Sequence, residues 1–401
     1  MPWEIDSREH YPRASDAVAR AIDILSDLVG FDTTSANSNL ALMRYVEALL
    51  AARGVTAELL LDDTGQKANL FATVGPSRPE GVILSGHTDV VPVAEQNWSS
   101  DPFVLTQRDT RLYGRGTADM KAFIACSLAA LDFAKLDALQ RPIHLAFSYD
   151  EEVGCLGAPR LIERIADTIA LPAVAIVGEP SLMRIIGSHK SVNIYKVTVT
   201  GVPAHSSAAH LGLSANALAI QLMNVLLQIA GKLTAKEAHN ADFQPPFSTL
   251  TVGLMKGGTA ANILAAEASF VFDLRSLPEH DPDEILRPFH AEMEALRVAY
   301  PLATITFEPQ AAVPPLARVL ESKAETLVRR VGGDNSDMIA GSFGAEAGQF
   351  QQAGFSTVIC GPGSIDQAHQ ADEFIEISEI EKCMIFMDRL FTSLTAQAEA
   401  A

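Results

Sequence analysis

The chain has 401 residues, of which 48% are apolar and 20% charged, the balance of a soluble globular protein long enough for two domains. Its formal net charge of −19 argues against nucleic acid and an anionic membrane as partners, since both need a basic patch. Cys126, Cys155, Cys360 and Cys383 lack C-x-x-C or zinc-knuckle spacing and read as buried thiols of a reducing compartment. The start, Met-Pro-Trp-Glu-Ile-Asp, lacks the basic and apolar regions of a signal peptide. Leu213 to Ala230, the most apolar helical stretch, carries Asn216, Gln221, Asn224 and Gln228 and makes a poor membrane span. A cytoplasmic location is expected.

Helical periodicity runs over Ala17 to Val29 and Leu40 to Ala52, with Asp32-Thr33-Thr34-Ser35 between them as a loop and cap signal. Short β-type runs follow at 55–62, 69–74 and 82–85, and Leu105 to Tyr113 reads as a hairpin arm ending at Gly114-Arg115-Gly116. A helix is expected from about Lys121 to Ala134, then a strand at 143–149, a helix over Ala158 to Ala166 and a strand over Ala173 to Val177. Such alternation implies an α/β fold, a mostly parallel mixed sheet with helices on both faces. From Ile185 to about Pro309 the order becomes βαββαβ, a ferredoxin-like α+β sandwich that closes on itself. The expected organisation is a first domain of 1–184 and 310–401 interrupted by an inserted domain of 185–309. Its last part reads as a helix, an apolar strand over Ser356 to Cys360 and a final helix from about Ser378 to Leu394. The Ala/Glu-rich last few residues read as disordered.

The chemistry concentrates where first-domain strands run out, the place where open α/β sheets collect ligands. Val82-Ile83-Leu84-Ser85-Gly86-His87-Thr88-Asp89 is an apolar run ending in a histidine and an aspartate two apart. That pair suits a metal ligand and its orienting carboxylate. Asp119 follows on a glycine-punctuated turn, Glu151 and Glu152 follow Ser148-Tyr149-Asp150, Glu179 follows Ile176-Val177-Gly178, and His369 lies beyond Gly361-Pro362-Gly363. Each position also admits a plain structural role, as a helix cap, a charge at a helix N-terminus or a loop histidine. Together they make a donor set that Zn²⁺ accepts. Two Zn²⁺ bring four positive charges; Asp119, Glu152 and Glu179 return three, leaving one for a hydroxide. Without metal the clustered carboxylates would repel one another.

Gly86-His87-Thr88-Asp89, Gly114-Arg115-Gly116-Thr117-Ala118-Asp119-Met120-Lys121, Asp150-Glu151-Glu152, Gly178-Glu179-Pro180 and Gly361-Pro362-Gly363-Ser364 through His369 resemble, in order, the acetylornithine deacetylase/succinyl-diaminopimelate desuccinylase family of dizinc metallohydrolases. The resemblance implies that Asp119 bridges two Zn²⁺ per subunit (Co²⁺ substituting), with His87 and Glu179 on one ion and Glu152 and His369 on the other. It implies Glu151 as general base, with Asp89 orienting His87. A homodimer through residues 185–309 is implied as well, with His205 an oxyanion donor reaching the active site of the partner subunit.

Gly257-Gly258-Thr259-Ala260-Ala261-Asn262 offers N-H groups and an amide to an anionic group, and Arg275 could clamp a carboxylate. Family members use matching positions for a substrate α-carboxylate. Without that resemblance Arg275 reads as a surface ion pair and the glycines as a hairpin turn. Gly363 joins Asn262 and Arg275 as an expected substrate contact. The stretch Gly361 through Gln370, followed by Asp372-Glu373, is closest to the branch that cleaves N-acetyl-L-ornithine to L-ornithine and acetate in arginine biosynthesis, so that metal-dependent amide hydrolysis is the expected function. Ser191, where glycine is expected, and Gly344-Ala345-Glu346-Ala347-Gly348 depart from the familiar pattern. A desuccinylase, an acetylcitrulline deacetylase, a carboxypeptidase-like amidohydrolase and a non-catalytic binding protein are the alternatives.

Overall fold

A computed structural model of the chain describes residues 12–78, 81–169, 171, 173–235, 239–333 and 336–395. The first six residues and the Ala/Glu-rich tail lie outside them. The chain divides into two compact units: one comprises residues up to Gly187, Arg318–Ile339 and those from Ala345 on, the other Ser188–Ala317 and Ala340–Gly344.

The first unit opens with α1 (Pro12–Val29) and α2 (Leu40–Ala51). Ile24, Leu25 and Leu28 of α1, and Leu42, Met43, Val46 and Leu50 of α2, are fully buried at the three- and four-residue spacing of one helix face. After them come β1 (Ala57–Leu61), β2 (Ala68–Val74), β3 (Val82–His87), β4 (Thr106–Arg108), β5 (Arg111–Tyr113), α3 (Ala122–Phe133), β6 (Ile143–Ser148), α4 (Ala158–Ala166), β7 (Val174–Pro180) and β8 (Ile186–His189).

The second unit holds β9 (Val192–Thr200), α5 (Ala215–Leu233), β10 (Thr249–Gly257), β11 (Glu267–Arg275), α6 (Pro282–Ala299) and β12 (Thr304–Val313). The remainder adds α7 (Lys323–Gly332), β13 (Ile339–Gly341), α8 (Ala347–Gln352), β14 (Ser356–Gly361), β15 (Phe374–Glu376) and α9 (Ile377–Thr395).

Eight strands form one mixed sheet in the order β1-β2-β6-β3-β7-β14-β8-β13. It is parallel in its middle, β6 to β3 to β7 to β14, and antiparallel where β1, β2 and β8 join. Alternate residues sort its faces. Leu70, Leu84, Leu145, Ile176 and Val358 pack into a core with α1, α3, α7 and α9. Phe71, Ile83, Ala146, Ala175 and Ile359 belong to the opposite face, where α4 and α8 lie.

The expected arm over Leu105 to Tyr113 is instead a complete hairpin, because Asp109, at φ 51°, reverses the chain between β4 and β5. Strands β8, β13 and β15 and the six-residue α8 have too few residues to show a period, and the sequence reading passes over them.

The second unit is ferredoxin-like, with an antiparallel sheet ordered β10-β11-β9-β12 and the chain order βαββαβ. Val197 and Val199 of β9 and Phe270, Phe272 and Leu274 of β11 alternate inward to meet Leu218 and Leu222 of α5 and Phe289 of α6. Among the described residues no helix is long and apolar enough to cross a membrane.

Candidate metal centre

Parallel pairing brings the ligand-bearing strand ends together. β3 is buried through all six residues and ends at His87, which lies in register with Ser148, the last residue of β6. The turn after β6 therefore presents Glu151 and Glu152 beside His87. On its other side β3 pairs with β7, which carries Glu179. Asp119 sits in a tight turn, Thr117–Lys121, opened by Gly116 at φ 82°. Within that turn Asp119 and Met120 leave helical geometry and share a cis peptide bond. His369 follows β14 on a loop and holds a left-handed φ of 64°, a conformation non-glycine residues keep only where their surroundings impose it.

Asp119 faces both histidines. Its Oδ1 lies 3.0 Å from His87 Nε2 and its Oδ2 3.3 Å from His369 Nε2. Glu179 Oε1 is 3.8 Å from His87 Nε2, while Glu152 Oε2 is 2.9 Å from His369 Nε2. Donor atoms of His87, Glu151 and Glu179 all lie within 4.8 Å of one another, and so do those of His87, Asp119 and Glu152. The buried Oε1 of Glu179 has no hydrogen-bond partner among the described residues. Buried carboxylates this crowded, one of them with an orphaned oxygen aimed at an imidazole, fit a bound cation, and their nitrogen and oxygen donors suit Zn²⁺ or a similar ion.

The electrostatics carry the same message. Burial raises the Glu152 carboxyl to about 7, with the Asp119 charge adding to it, and raises Glu179 and Glu151 well above the usual carboxylate range. Hydrogen bonds to Asp119 and Glu152 lift His369 to about 10. Burial disfavours a charged His87, but Asp119 and Asp89 outweigh it and raise its pKa well above the ordinary value. Asp119 opposes its own burial through both imidazoles and is held below the usual carboxylate range.

Asp89 does more than the sequence pattern indicates. His87 Nδ1 is 2.9 Å from the Asp89 main-chain carbonyl, and the carboxylate Oδ1 is farther away, at 3.6 Å. The carboxylate accepts hydrogen bonds from the Glu151 and Glu152 N-H groups at 3.0 and 3.2 Å and from Ser35 Oγ at 2.7 Å. One side chain therefore ties the histidine strand to the glutamate turn.

The structure adds contacts of other residues near the centre. Cys155 Sγ lies 3.3 Å from Glu151 Oε1. Glu346, in the segment that departs from the familiar pattern, is buried beneath the strand ends and accepts from Ser148 Oγ and, at 3.3 Å, Ser85 Oγ. Lys121 is fully buried; its Nζ donates to the carbonyls of Leu28 and Phe31 at 3.0 and 2.9 Å, and burial lowers it to about 7.

The remaining candidates divide between the units. Gly363, at φ 85°, belongs to the first, its N-H 3.3 Å from Glu379 Oε2. His205, Asn262 and Arg275 belong to the second. Exposed His205 accepts the Ser207 N-H at Nδ1, which leaves its proton on Nε2. The Asn262 carbonyl accepts from Ser206 N at 2.9 Å, and Arg275 Nε pairs with Asp273 at 2.9 Å. Ser191 is buried and links Ser276 and Asn193 within the second unit.

An α/β sheet whose strand ends gather two histidines and acidic side chains with donor atoms this close defines a candidate metal centre. Residues 83–393 match the model of peptidase family M20/M25/M40, and the chain belongs to that family. It is 34% identical over 386 residues to an acetylornithine deacetylase of Myxococcus xanthus, covering 94% of this chain and 97% of that one. An acetylornithine deacetylase of Proteus mirabilis is 32% identical over 373 residues, 92% and 94% of the two chains. Among solved structures, an M20 family metallo-carboxypeptidase from Sulfolobus solfataricus superposes with a TM-score of 0.75 at 18% identity, covering 94% of this chain and 99% of that one.

Proposed function

We propose that this amidohydrolase removes the acetyl group from N-acetyl-L-ornithine, releasing L-ornithine and acetate for arginine biosynthesis in the cytoplasm. Likeness to acetylornithine deacetylases over nearly the whole of both chains supports the substrate. The observation that carries the chemistry is Asp119 with one carboxylate oxygen toward each histidine. In this reading His87 and Glu179 would hold one ion, His369 and Glu152 a second, and Asp119 would be shared between them; zinc is the expected metal and cobalt a substitute.

Such a pair would supply a lowered water pKa and a polarised scissile carbonyl. Glu151 accepts the proton of the attacking water and delivers it to the leaving nitrogen. Cys155 restrains the Glu151 rotamer, and Asp89 fixes the turn that carries it. In a homodimer formed through the second unit, the Nε2-H of His205 of the partner subunit stabilises the carbonyl oxygen as it gains charge. Asn262 and Arg275 are assigned to the substrate's α-carboxylate, and Gly363 is assigned a substrate contact of its own.

The test is amine release from N-acetyl-L-ornithine, N-acetyl-L-citrulline and N-succinyl-diaminopimelate by protein stripped of metal, then reconstituted with Zn²⁺ or Co²⁺. Metal-dependent turnover that prefers acetylornithine is the expected result. Preference for another acyl amino acid would overturn the substrate assignment, and metal-independent turnover would overturn the mechanism.

A further inference from the structure

Two segments that each carry an expected metal ligand are joined by a buried polar network. Glu373, 1% exposed, lies just before β15. Its Oε1 accepts the N-H groups of Ala118 and Asp119 at 2.9 and 3.1 Å, and its Oε2 accepts the Gly116 N-H at 3.0 Å and Arg115 Nη1 at 2.7 Å. One carboxylate thus takes three main-chain donors from the turn that sets the Asp119 side chain.

Arg115, also 1% exposed, continues outward. Its Nη1 reaches the Gln370 carbonyl at 3.3 Å, its Nη2 reaches Gln96 Oε1 at 2.5 Å, and its guanidinium lies 5.0 Å from the centroid of the Trp98 ring. Gln96 Nε2 then donates to the His369 carbonyl at 2.9 Å. Both His369 and Asp119 are thereby held through their main chains.

We propose that Glu373 and Gln96, linked through Arg115, are positioning residues that brace Asp119 and His369 against each other so that the metal centre is preformed. The proposal rests on the two-ion reading above. A bridging carboxylate must offer its oxygens to two ions at once, so a small rotation of the Thr117–Lys121 turn would misplace both. His369 lies on an exposed loop at positive φ, and the Gln96 amide is a tether from outside that loop. Outer partners of metal ligands are worth about 10- to 100-fold in affinity.

The experiment is calorimetric titration of the metal-stripped full chain with Zn²⁺, together with the visible absorption of the Co²⁺ form, for wild type, H369A, Q96L and E373Q. Circular dichroism of the stripped proteins checks the fold. Expected results are a Q96L protein that is folded and binds one of its two ions, the ion lost in H369A, about 10-fold or more weakly, and an E373Q protein weakened at both with an altered Co²⁺ spectrum. Should E373Q fail to fold because Arg115 loses its buried partner, half-buried Gln96 still decides. Loss of an ion in H369A with wild-type affinities and spectra in Q96L and E373Q would overturn the brace and leave the two-ion reading standing. A wild type that binds no ion, or an H369A protein that binds two ions normally, would overturn both.

Discussion

At the scale of single residues, the roles of the paired glutamates should separate by measurement. Replacing Glu151 with Gln removes the proton carrier and leaves the five expected ligands in place. We expect E151Q to bind metal with little change and to lose about 10²–10⁴-fold in kcat. Unimpaired turnover would remove Glu151 from the mechanism.

Metal uptake should also release protons. With His369 raised to about 10 and Glu152 to about 7, the stripped centre is protonated at neutral pH, whereas ligation requires both groups deprotonated. Apparent affinity should therefore rise with pH through this range, and calorimetry in buffers of different ionisation enthalpy should count the protons. A pH-independent affinity would contradict it. The ligands themselves are legible in the sequence because each follows a recognisable apolar strand or a glycine turn. Glu373 is not: in Gln370-Ala371-Asp372-Glu373 it has the look of an exposed loop acid, and Arg115 with the Gly116, Ala118 and Asp119 N-H groups, all far away in the chain, accounts for its burial.

Among the elements, strand-to-helix packing explains a glycine that borders the centre. A Cβ placed on Gly178 would lie 2.0 Å from the ring of Phe123, a fully buried residue of α3, so β7 and α3 approach this closely only with glycine there. The G178A variant should lose about 1–3 kcal/mol of stability by overpacking and displace the adjacent Glu179. Thermal unfolding and metal titration of the same protein would check both, and wild-type values would show that the helix gives way freely.

Elements of this kind are readable beforehand where a period is long enough to see. The all-buried β3, the six-residue β6 and the twelve-residue α3 fall within two residues of their expected bounds. Strands of three or four residues, such as β8, β13 and β15, gain their geometry from neighbours brought by the fold and leave no local trace. The left-handed turn residue Asp109, which splits one β-type run into two strands, is equally silent because aspartate is an ordinary loop residue.

For the whole molecule, the second unit leaves an apolar surface that a homodimer would use. β10 is an edge strand of the four-stranded sheet, with Leu254 and Met255 66% and 67% exposed. Ile220 and Leu227 of the adjacent α5 are 58% and 65% exposed. Edge strands with such residues are normally covered. The double variant Leu254→Asp/Leu227→Asp should sediment as a monomer and, if His205 of the partner subunit serves the reaction, lose turnover while keeping metal. A monomeric wild type would refute the association.

The division of the first unit into separate stretches of chain fixes an order of birth. A growing polypeptide presents β3, β6 and β7 first, but β14, which pairs with β7 in the same sheet, emerges only after Ser188–Ala317 has been made. The later-starting unit is complete, apart from the short Ala340–Gly344 return, while the earlier one still lacks its His369 loop and the Glu373 carboxylate. Domains fold as units during synthesis. A sandwich that folds as its chain emerges would therefore be finished while the sheet of the first unit still lacks β14.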